Sequence, residues 1–299
     1  MPSIFIFGIF PESSGKTVVA TALARGLVKR GLKVAVFKPR SGHNLWYQYK
    51  AFLKCKAARS LFCEDIIKLK EASKCPLPYE LLNPVDALLA PLNAKVFLER
   101  NLTRQIFLFE EDMYHHLLVE RYSVIEDEKT KKILLINEKN ISAELAIFDS
   151  GYIGKLMASA DQIIPINSLK EWSSLFNKLS SKAICSCYQK IKQAYSNLII
   201  EGFNDAVCPE PKIIEEADII IGVAPGTAIF YDKKEFKKIL NAMMELGKDP
   251  RALRSESIIP FARKYETLKI PPIPTESLKD YDALSEELKG IIDYVNSMC

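Results

Sequence analysis

The first 38 residues constrain the fold more than any other part of the chain. An apolar run, "SIFIFG" (3–8), precedes a loop and then "GKTVVATALARGLVKRG", where apolar residues recur at helical spacing. A second apolar run, "KVAVFK" (33–38), follows. Strand, loop, helix and strand within about 35 residues make a βαβ unit, and strands that are apolar throughout are typical of a covered parallel sheet. We therefore predict an α/β fold with a doubly wound, mostly parallel sheet.

Later segments extend this pattern. Further strands are predicted from apolar runs at 144–151, 162–167, 197–202 and 218–226. Helices are predicted over 46–73, in two pieces, and in "LKEWSSLFNKL", "YQKIKQAY" and "KKEFKKILNAMMELG". The proline-rich stretch 75–91 is predicted to be a loop with short turns.

One region breaks the alternation of strands and helices. Between residues 104 and 138 the segments "RQIFLFEED", "HHLLVERYSVIED" and "KKILLINE" are β-rich and have no helix between them. We expect a single domain over 1–299 that carries this antiparallel β insertion. Residues 270–299 are expected to form a proline-stiffened linker and a final amphipathic helix.

The loop "GIFPESSGKT" (8–17) has the features of a phosphate-binding loop. Such loops need converging backbone N–H groups at a helix start, a lysine for the phosphates and a hydroxyl for Mg²⁺. Phe10 stands where the standard pattern has glycine, although small residues near the helix still let a ligand approach the backbone. The alternative is a plain strand–turn–helix. The predicted nucleotide-binding residues here are Glu12, Ser13, Ser14, Gly15, Lys16 and Thr17.

A magnesium site also requires carboxylates. Glu201 ends the predicted strand "NLIIE", Asp149 ends "LAIFD" in the same manner, and Asp65 begins a helix in "CEDIIKL". For each acid the alternative is a helix N-cap or a solvated side chain. We favour Thr17, Asp65 and Glu201 as metal ligands and keep Asp149 as the competitor of Glu201.

Two more stretches follow predicted strands and could contact a ligand. Lys38 ends the second strand at the edge where ligands of open α/β sheets bind, and Arg40 and Ser41 come next. The alternative is a solvated basic turn. Pro225 and Gly226, after "DIIIGVA", are candidates for backbone contacts to a nucleotide base, with an ordinary strand–helix turn as the alternative.

Composition narrows the function classes. The formal charge is +4 with a pI near 8.5, and the basic residues are dispersed, which makes nucleic acid an unlikely partner. Seven cysteines occur without a zinc-type spacing or a secretory signal, which favours reduced thiols and a cytoplasmic protein. The run "SIFIFGIF" is too short for a membrane span. "NEKN" (137–140) lacks the aspartate typical of guanine readers, so ATP is expected rather than GTP.

Taken in order, these motifs resemble dethiobiotin synthetase and the related cobyrinate amidoligases. The similar stretches are "FGIFPESSGKT", "VAVFKPRSG", "EDIIKL…LPYELLNPVDALLAP" and "LIIEGFND". The resemblance implies that Lys16 and Thr17 hold ATP and Mg²⁺, that Asp65 and Glu201 ligate or orient the metal, and that Lys38 and Ser41 face the substrate. Lys16, Lys38 and Glu201 are then the catalytic residues. The implied reaction phosphorylates a carboxylate, or the carbamate of a diamine, and the implied assembly is a homodimer.

The chain also departs from that family. Glu201 and Gly202 are followed by the bulky Phe203 rather than a small residue, and the β insertion has no place in the simple synthetase. Two other functions therefore stay open. One is a regulatory ATPase or GTPase switch without ligase activity, and the other is a kinase built on the same loop.

Overall fold

The structure is a computed structural model that describes residues 2–298. The strands are β1 (Ser3–Gly8), β2 (Val34–Phe37), β3 (Arg40–Asn44), β4 (Val85–Leu89), β5 (Leu117–Glu126), β6 (Lys129–Asn137), β7 (Gln162–Ile166), β8 (Asn197–Glu201), β9 (Ile219–Ala224), β10 (Thr227–Tyr231) and β11 (Tyr265–Lys269). The helices are α1 (Lys16–Lys29), α2 (Tyr49–Ala58), α3 (Glu64–Ser73), α4 (Tyr79–Leu82), α5 (Ala94–Glu99), α6 (Gln105–Glu110), α7 (Met113–His116), α8 (Glu138–Ser142), α9 (Ser150–Ala158), α10 (Leu169–Ala194), α11 (Pro211–Glu216), α12 (Lys233–Glu245), α13 (Ser255–Ile258), α14 (Tyr281–Glu287) and α15 (Lys289–Ser297). Short 3₁₀ turns occur at Pro250–Ala252 and Ile259–Phe261.

The chain divides into two compact units. The first unit comprises Met1–Arg40, Asp65–Pro78 and Tyr188–Cys299, and the second comprises Ser41–Glu64 and Tyr79–Cys187. Residues 104–138, the expected insertion, fall within the second unit. The expected organisation as one domain with an insertion at those boundaries stays a prediction.

The first unit is built on a mixed six-stranded sheet in the order β11-β10-β9-β1-β8-β2. Its four strands β9, β1, β8 and β2 are parallel, with Phe5 of β1 in register with Ile200 on one side and Ile220 on the other. These strands are almost entirely buried, as their continuous apolar sequences require. The α/β fold is confirmed, and the carboxyl ends of the four parallel strands lie along one edge.

Helix α1 covers this sheet because its apolar residues are spaced to face one side. Val19, Leu23 and Leu27 are buried, and α1 packs against β1, β2 and β8. Gly31, at φ 80°, accepts the left-handed conformation that ends the helix, and its N–H bonds to the Val28 carbonyl at 2.9 Å. The outer side of α1 is joined to α14 by Arg25 and Asp282, whose charged atoms are 2.7 Å apart.

Two edge strands of the first sheet were not predicted. β10 and β11 extend it antiparallel beyond β9, where we predicted a turn leading directly into a helix. The tight turn at Pro225–Gly226 makes this reversal, since Gly226 has φ 81° and Thr227 pairs with Ala224.

The second unit contains a five-stranded sheet in the order β3-β4-β5-β6-β7. The β5–β6 hairpin confirms the antiparallel pairing predicted inside 104–138, and Asp127 and Glu128 both have positive φ at its turn. Strand β7 then pairs parallel with β6.

Several predicted elements of the second unit were wrong. "RQIFLFEED" is not a strand: its central residues form helix α6, because an apolar run this short does not distinguish the two periods. The predicted strand 144–151 contributes only an isolated bridge, Leu92 to Ala146, and ends where α9 begins. The predicted loop 75–91 contains β4, whose apolar residues lie between Pro84 and Pro91 and are therefore not interrupted by either.

Two helix predictions need correction as well. The two helices predicted across 169–195 are one continuous helix, α10, and the predicted final helix is two, α14 and α15, which meet at Leu288. Across residues 2–298, none of the helices has the length and apolar character that crossing a membrane requires.

Candidate functional site

The loop after β1 is held in shape by a serine rather than by a glycine at position 10. The buried Ser14 hydroxyl donates to the Phe10 carbonyl at 2.7 Å and accepts from the Phe10 N–H at 3.1 Å. A Cβ on Gly8 would lie 2.8 Å from both the Phe10 carbonyl oxygen and Ser14 Oγ, so only glycine fits there. The two hydrogen bonds between Ser14 and the Phe10 backbone therefore fix the shape of the loop, so that a glycine is not required at position 10.

Helix α1 begins directly behind this loop. Gly15 is its N-cap with φ 87°, and no side chain caps the helix. The first N–H groups of an α-helix have no intrahelical acceptor and carry the positive end of the helix dipole. Glu12 and Ser13 lie exposed on the loop just before them. The predicted phosphate-binding residues therefore occupy one short segment that ends in an uncapped helix N-terminus.

Lys16 lies in the first turn of α1 and is 9% exposed. Burial, with the nearby Lys38 ammonium, lowers the pKa of Lys16 from its usual range. Within residues 2–298 its ammonium makes no ion pair or hydrogen bond. A buried ammonium without a direct partner favours an anionic ligand, because an opposite charge offsets its desolvation.

Next to Lys16, the Thr17 hydroxyl meets two carboxylates. Thr17 Oγ1 lies 2.8 Å from Glu201 Oε1 and 3.2 Å from Asp65 Oδ1, and it can donate its single proton to either. The three predicted metal ligands are therefore brought together at the carboxyl edge of the sheet. The first turn of α1 positions Thr17, the end of β8 positions Glu201, and the first turn of α3 positions Asp65.

Lys38 joins both acids. Its ammonium lies 2.8 Å from Glu201 Oε1, 2.9 Å from Asp65 Oδ2 and 3.1 Å from the Gly202 carbonyl oxygen. The pairing follows from the sheet, since Phe37 of β2 is in register with Ile200 of β8, and Lys38 and Glu201 are the next residues along. Lys38 is 3% exposed, so it neutralises the acids from the protein side.

The two carboxylates respond differently to this environment. Complete burial raises the pKa of Glu201 against the pull of Lys38. Burial also opposes ionisation of Asp65, but the Lys38 charge and the hydrogen bonds from Lys38 and Thr17 outweigh it and lower the pKa of Asp65. Glu201 Oε2 is buried and has no hydrogen-bond partner in the described chain. An unpartnered carboxylate oxygen beside a second carboxylate and a hydroxyl is a donor set that suits a hard cation such as Mg²⁺.

A cation here would depend on few protein ligands. Residues 2–298 contain no group of three or more His, Cys, Asp or Glu side chains arranged to hold a metal ion. Mg²⁺ in phosphate-handling sites needs only one or two carboxylates, because phosphate oxygens and water complete its shell. The residues present therefore fit a magnesium–nucleotide complex better than a metal bound by protein alone.

Two predicted residues belong to the second unit. Ser41 Oγ is 3.0 Å from Asn83 Oδ1 and also bonds to Asp86. Asp149 caps α9 by accepting the Tyr152 N–H at 2.8 Å, and it pairs with Lys56 at 2.5 Å. The helix-cap alternative for Asp149 is thus confirmed.

The candidate base contacts have a different local structure from the one expected. Pro225 and Gly226 form the exposed turn of the β9–β10 hairpin rather than a strand–helix connection. The turn follows the carboxyl end of β9, which is bonded to the loop after β1 through the Ile9 N–H and the Val223 carbonyl, 2.9 Å apart. Their contact with a base stays a prediction.

The sequence patterns did not indicate a group of residues that adjoins the loop after β1. Ser255 Oγ donates to the Ile9 carbonyl at 2.7 Å, and Arg254 pairs with Asp205 at 3.4 Å. Asp205 could have been noticed, since it lies in the quoted segment "LIIEGFND". Arg254 and Ser255 give no signal in sequence because more than 200 residues separate them from the loop.

Comparison with known proteins adds no further constraint: no protein-family model and no curated protein sequence matches this chain.

Proposed function

We propose that this protein is a P-loop NTPase-type enzyme that binds ATP with Mg²⁺ and activates a carboxylate or carbamate by phosphoryl transfer, as dethiobiotin synthetase-like ligases do. The observation that carries the proposal is the grouping of Lys16 and Thr17, at an uncapped helix start, with Asp65, Lys38 and Glu201 at one sheet edge. Each of these residue types has a defined task in phosphoryl transfer.

The chain's own groups divide that task. The N–H groups at the start of α1 and the Lys16 ammonium bind and orient phosphate oxygens. Thr17, Asp65 and Glu201 would hold the metal, with Glu201 Oε2 as the oxygen still lacking a partner in the described chain. Bound there, Mg·ATP would supply the transferable terminal phosphoryl group.

Lys38 offsets the negative charge of the acids. Two carboxylates so close to each other would repel a polyphosphate, and the Lys38 ammonium within 2.9 Å of both reduces that repulsion. Phosphoryl transfer is governed by positioning and charge neutralisation, so we expect Lys38 to be essential for turnover and dispensable for most of the free energy of nucleotide binding.

The test is Lys38→Ala, with Lys33→Ala as matched control because Lys33 is exposed and precedes β2 at its other end. ADP formation from Mg·ATP is measured with a panel of carboxylic acids, and acyl phosphates are trapped with hydroxylamine. We expect Lys38→Ala to abolish acid-dependent ADP and hydroxamate formation while Mg·ATP still binds, and Lys33→Ala to behave as wild type. Slow ATP hydrolysis that ignores both the acids and Lys38 would instead favour the regulatory switch.

A further inference from the structure

The segment 249–258, which follows α12, is attached to the phosphate loop and to the loop after β8. Ser255 Oγ donates to the Ile9 carbonyl at 2.7 Å, and the Ser255 N–H bonds to the Asp205 carbonyl at 3.0 Å. Arg254 also forms a bridge with Ala206. One side-chain bond and one backbone bridge therefore attach residues 254 and 255 beside the site.

The loop after β8 is itself packed onto the phosphate loop. The Gly8 N–H bonds to the Asn204 carbonyl at 3.2 Å, and a Cβ on Gly8 would come within 3.0 Å of that oxygen. Asp205 is the next residue, and its charge acts on the Lys16 ammonium. Asp205 therefore lies close enough to influence the cation that we assign to phosphate.

Arg254 is the second cation near Asp205. Its Nη1 lies 3.4 Å from Asp205 Oδ1, and its side chain is 40% exposed, whereas that of Asp205 is 12% exposed. In residues 2–298 this long contact is the only hydrogen bond of the guanidinium, so most of its five N–H donors remain available. A guanidinium fork matches the geometry of phosphate oxygens.

We propose that Arg254 is a further ligand of the bound polyphosphate, and that its guanidinium leaves the long contact with Asp205 to bind phosphate oxygens. The inference rests on the proposed function and deepens it. Asp205 pairs with Arg254 in the absence of ligand and moderates the positive charge of the site. The phosphate chain would then meet three kinds of donor: helix N–H groups, the Lys16 ammonium and the Arg254 guanidinium.

The test is calorimetric titration of Mg·ATP into Arg254→Gln, with Arg251→Gln as matched control. Arg251 lies on the same segment, and its change to Gln removes the same charge. Its side chain pairs with Asp249 at 3.2 Å rather than with Asp205. We expect Arg254→Gln to weaken binding roughly 10-fold or more, as loss of a charge-assisted contact does. Arg251→Gln should bind as wild type, and Arg254→Lys should recover part of the lost affinity.

Asp205→Asn separates a ligand role from a structural one. If Arg254 binds phosphate, removing the Asp205 charge leaves affinity for Mg·ATP equal to wild type or higher, because the site becomes more positive. If the Arg254–Asp205 pair only holds the fold, both variants lose affinity together, and the proposal is overturned. Wild-type affinity in Arg254→Gln overturns it too, while Lys16→Ala still losing affinity would leave the nucleotide site itself standing. No binding by the wild-type chain would overturn both proposals.

Discussion

The polar side chains at the carboxyl edge of the first unit differ from Arg121 and Asp86, two buried polar residues of the second unit, in how completely they are hydrogen-bonded. In the second unit, Arg121 is fully buried and makes five hydrogen bonds, to carbonyl oxygens of Leu61, Asn83 and Pro84 and to the Ser123 hydroxyl. In the first unit, Lys16 has no direct partner among the described residues and Glu201 Oε2 has none either. A buried polar group with a structural role needs a partner in the protein for each of its hydrogen-bonding atoms, whereas a ligand site leaves some of these atoms for the ligand.

Among the acids, the same difference separates Asp86 from Glu201. One of its oxygens bonds to Ser41 and the other lies 2.7 Å from His43 Nδ1, so both are engaged within the second unit. Glu201 is equally buried, yet only one of its oxygens has partners. The two acids are therefore alike in burial and differ in that one Glu201 oxygen has no hydrogen-bond partner among the described residues.

The largest expected effect is on stability, from Arg121→Met. The change keeps an apolar stem but leaves the buried Leu61 and Asn83 carbonyl oxygens without the donor that Arg121 supplies, which should lower the free energy of unfolding by about 3–5 kcal/mol. Urea denaturation measures it, with Arg104→Met as the control because Arg104 is exposed in the same unit. A loss below about 1 kcal/mol would mean that the hydrogen bonds of the Arg121 guanidinium contribute little to the stability of the fold.

Glu201→Gln should change stability far less than Arg121→Met, because one oxygen of the Glu201 carboxylate has no hydrogen-bond partner among the described residues. Burial raises the pKa of Glu201, so the folded state binds more protons than the unfolded state above the ordinary glutamate pKa. Wild-type stability is therefore reduced as pH rises through that range, and the variant escapes this reduction. We expect the unfolding free energy of Glu201→Gln, relative to that of wild type, to rise as pH increases above the ordinary glutamate pKa. A difference that falls as pH increases over this range would contradict the direction of the pKa shift.

The smallest effect concerns one proton and needs no mutation. Burial opposes protonation of His43, but the ion pair with Asp86 outweighs it and raises the pKa of His43 to about 10. Burial lowers the pKa of His115, which makes it an internal control. Nitrogen-detected NMR at pH 7.5 should show an imidazolium at His43 and a neutral ring at His115.

The pair with Asp86 then stabilises the second unit fully below the ordinary histidine pKa, and the stabilisation is lost as pH rises toward 10. A neutral His43 ring at pH 7.5 would show that Asp86 does not hold the charge described here, and the contrast between the two acids would weaken.

Local pattern predicted much of the first unit. The predictions confirmed there are the βαβ start and strands β8 and β9. Their apolar patterns are continuous and are bounded by glycine, so they indicate one structure clearly. The pairing of Lys38 with Glu201 also follows from the sheet, since parallel strands bring their carboxyl ends to one edge, whereas Thr17 and Asp65 reach it from the first turns of α1 and α3.

Other features depend on contacts that local sequence does not encode. The edge strands β10 and β11 exist because a tight turn at Gly226 returns the chain onto β9, and β11 comes from a segment more than 30 residues later. Helix α6 and strand β4 are short apolar runs whose period is ambiguous. Arg254 reaches the site through bonds formed only after folding, so its local sequence gives no indication of that position.

The central claim is that Lys16 and the start of α1 bind the phosphates of a nucleotide. Calorimetric titration of Mg·ATP into wild type, Lys16→Ala and Lys29→Ala tests it most directly, since Lys29 lies on the same helix but pairs with Glu286 on the surface. We predict binding by wild type and Lys29→Ala, and a loss of about 1.5–3 kcal/mol of binding free energy in Lys16→Ala. Equal affinity in Lys16→Ala, or no binding by the wild-type chain, would contradict the account.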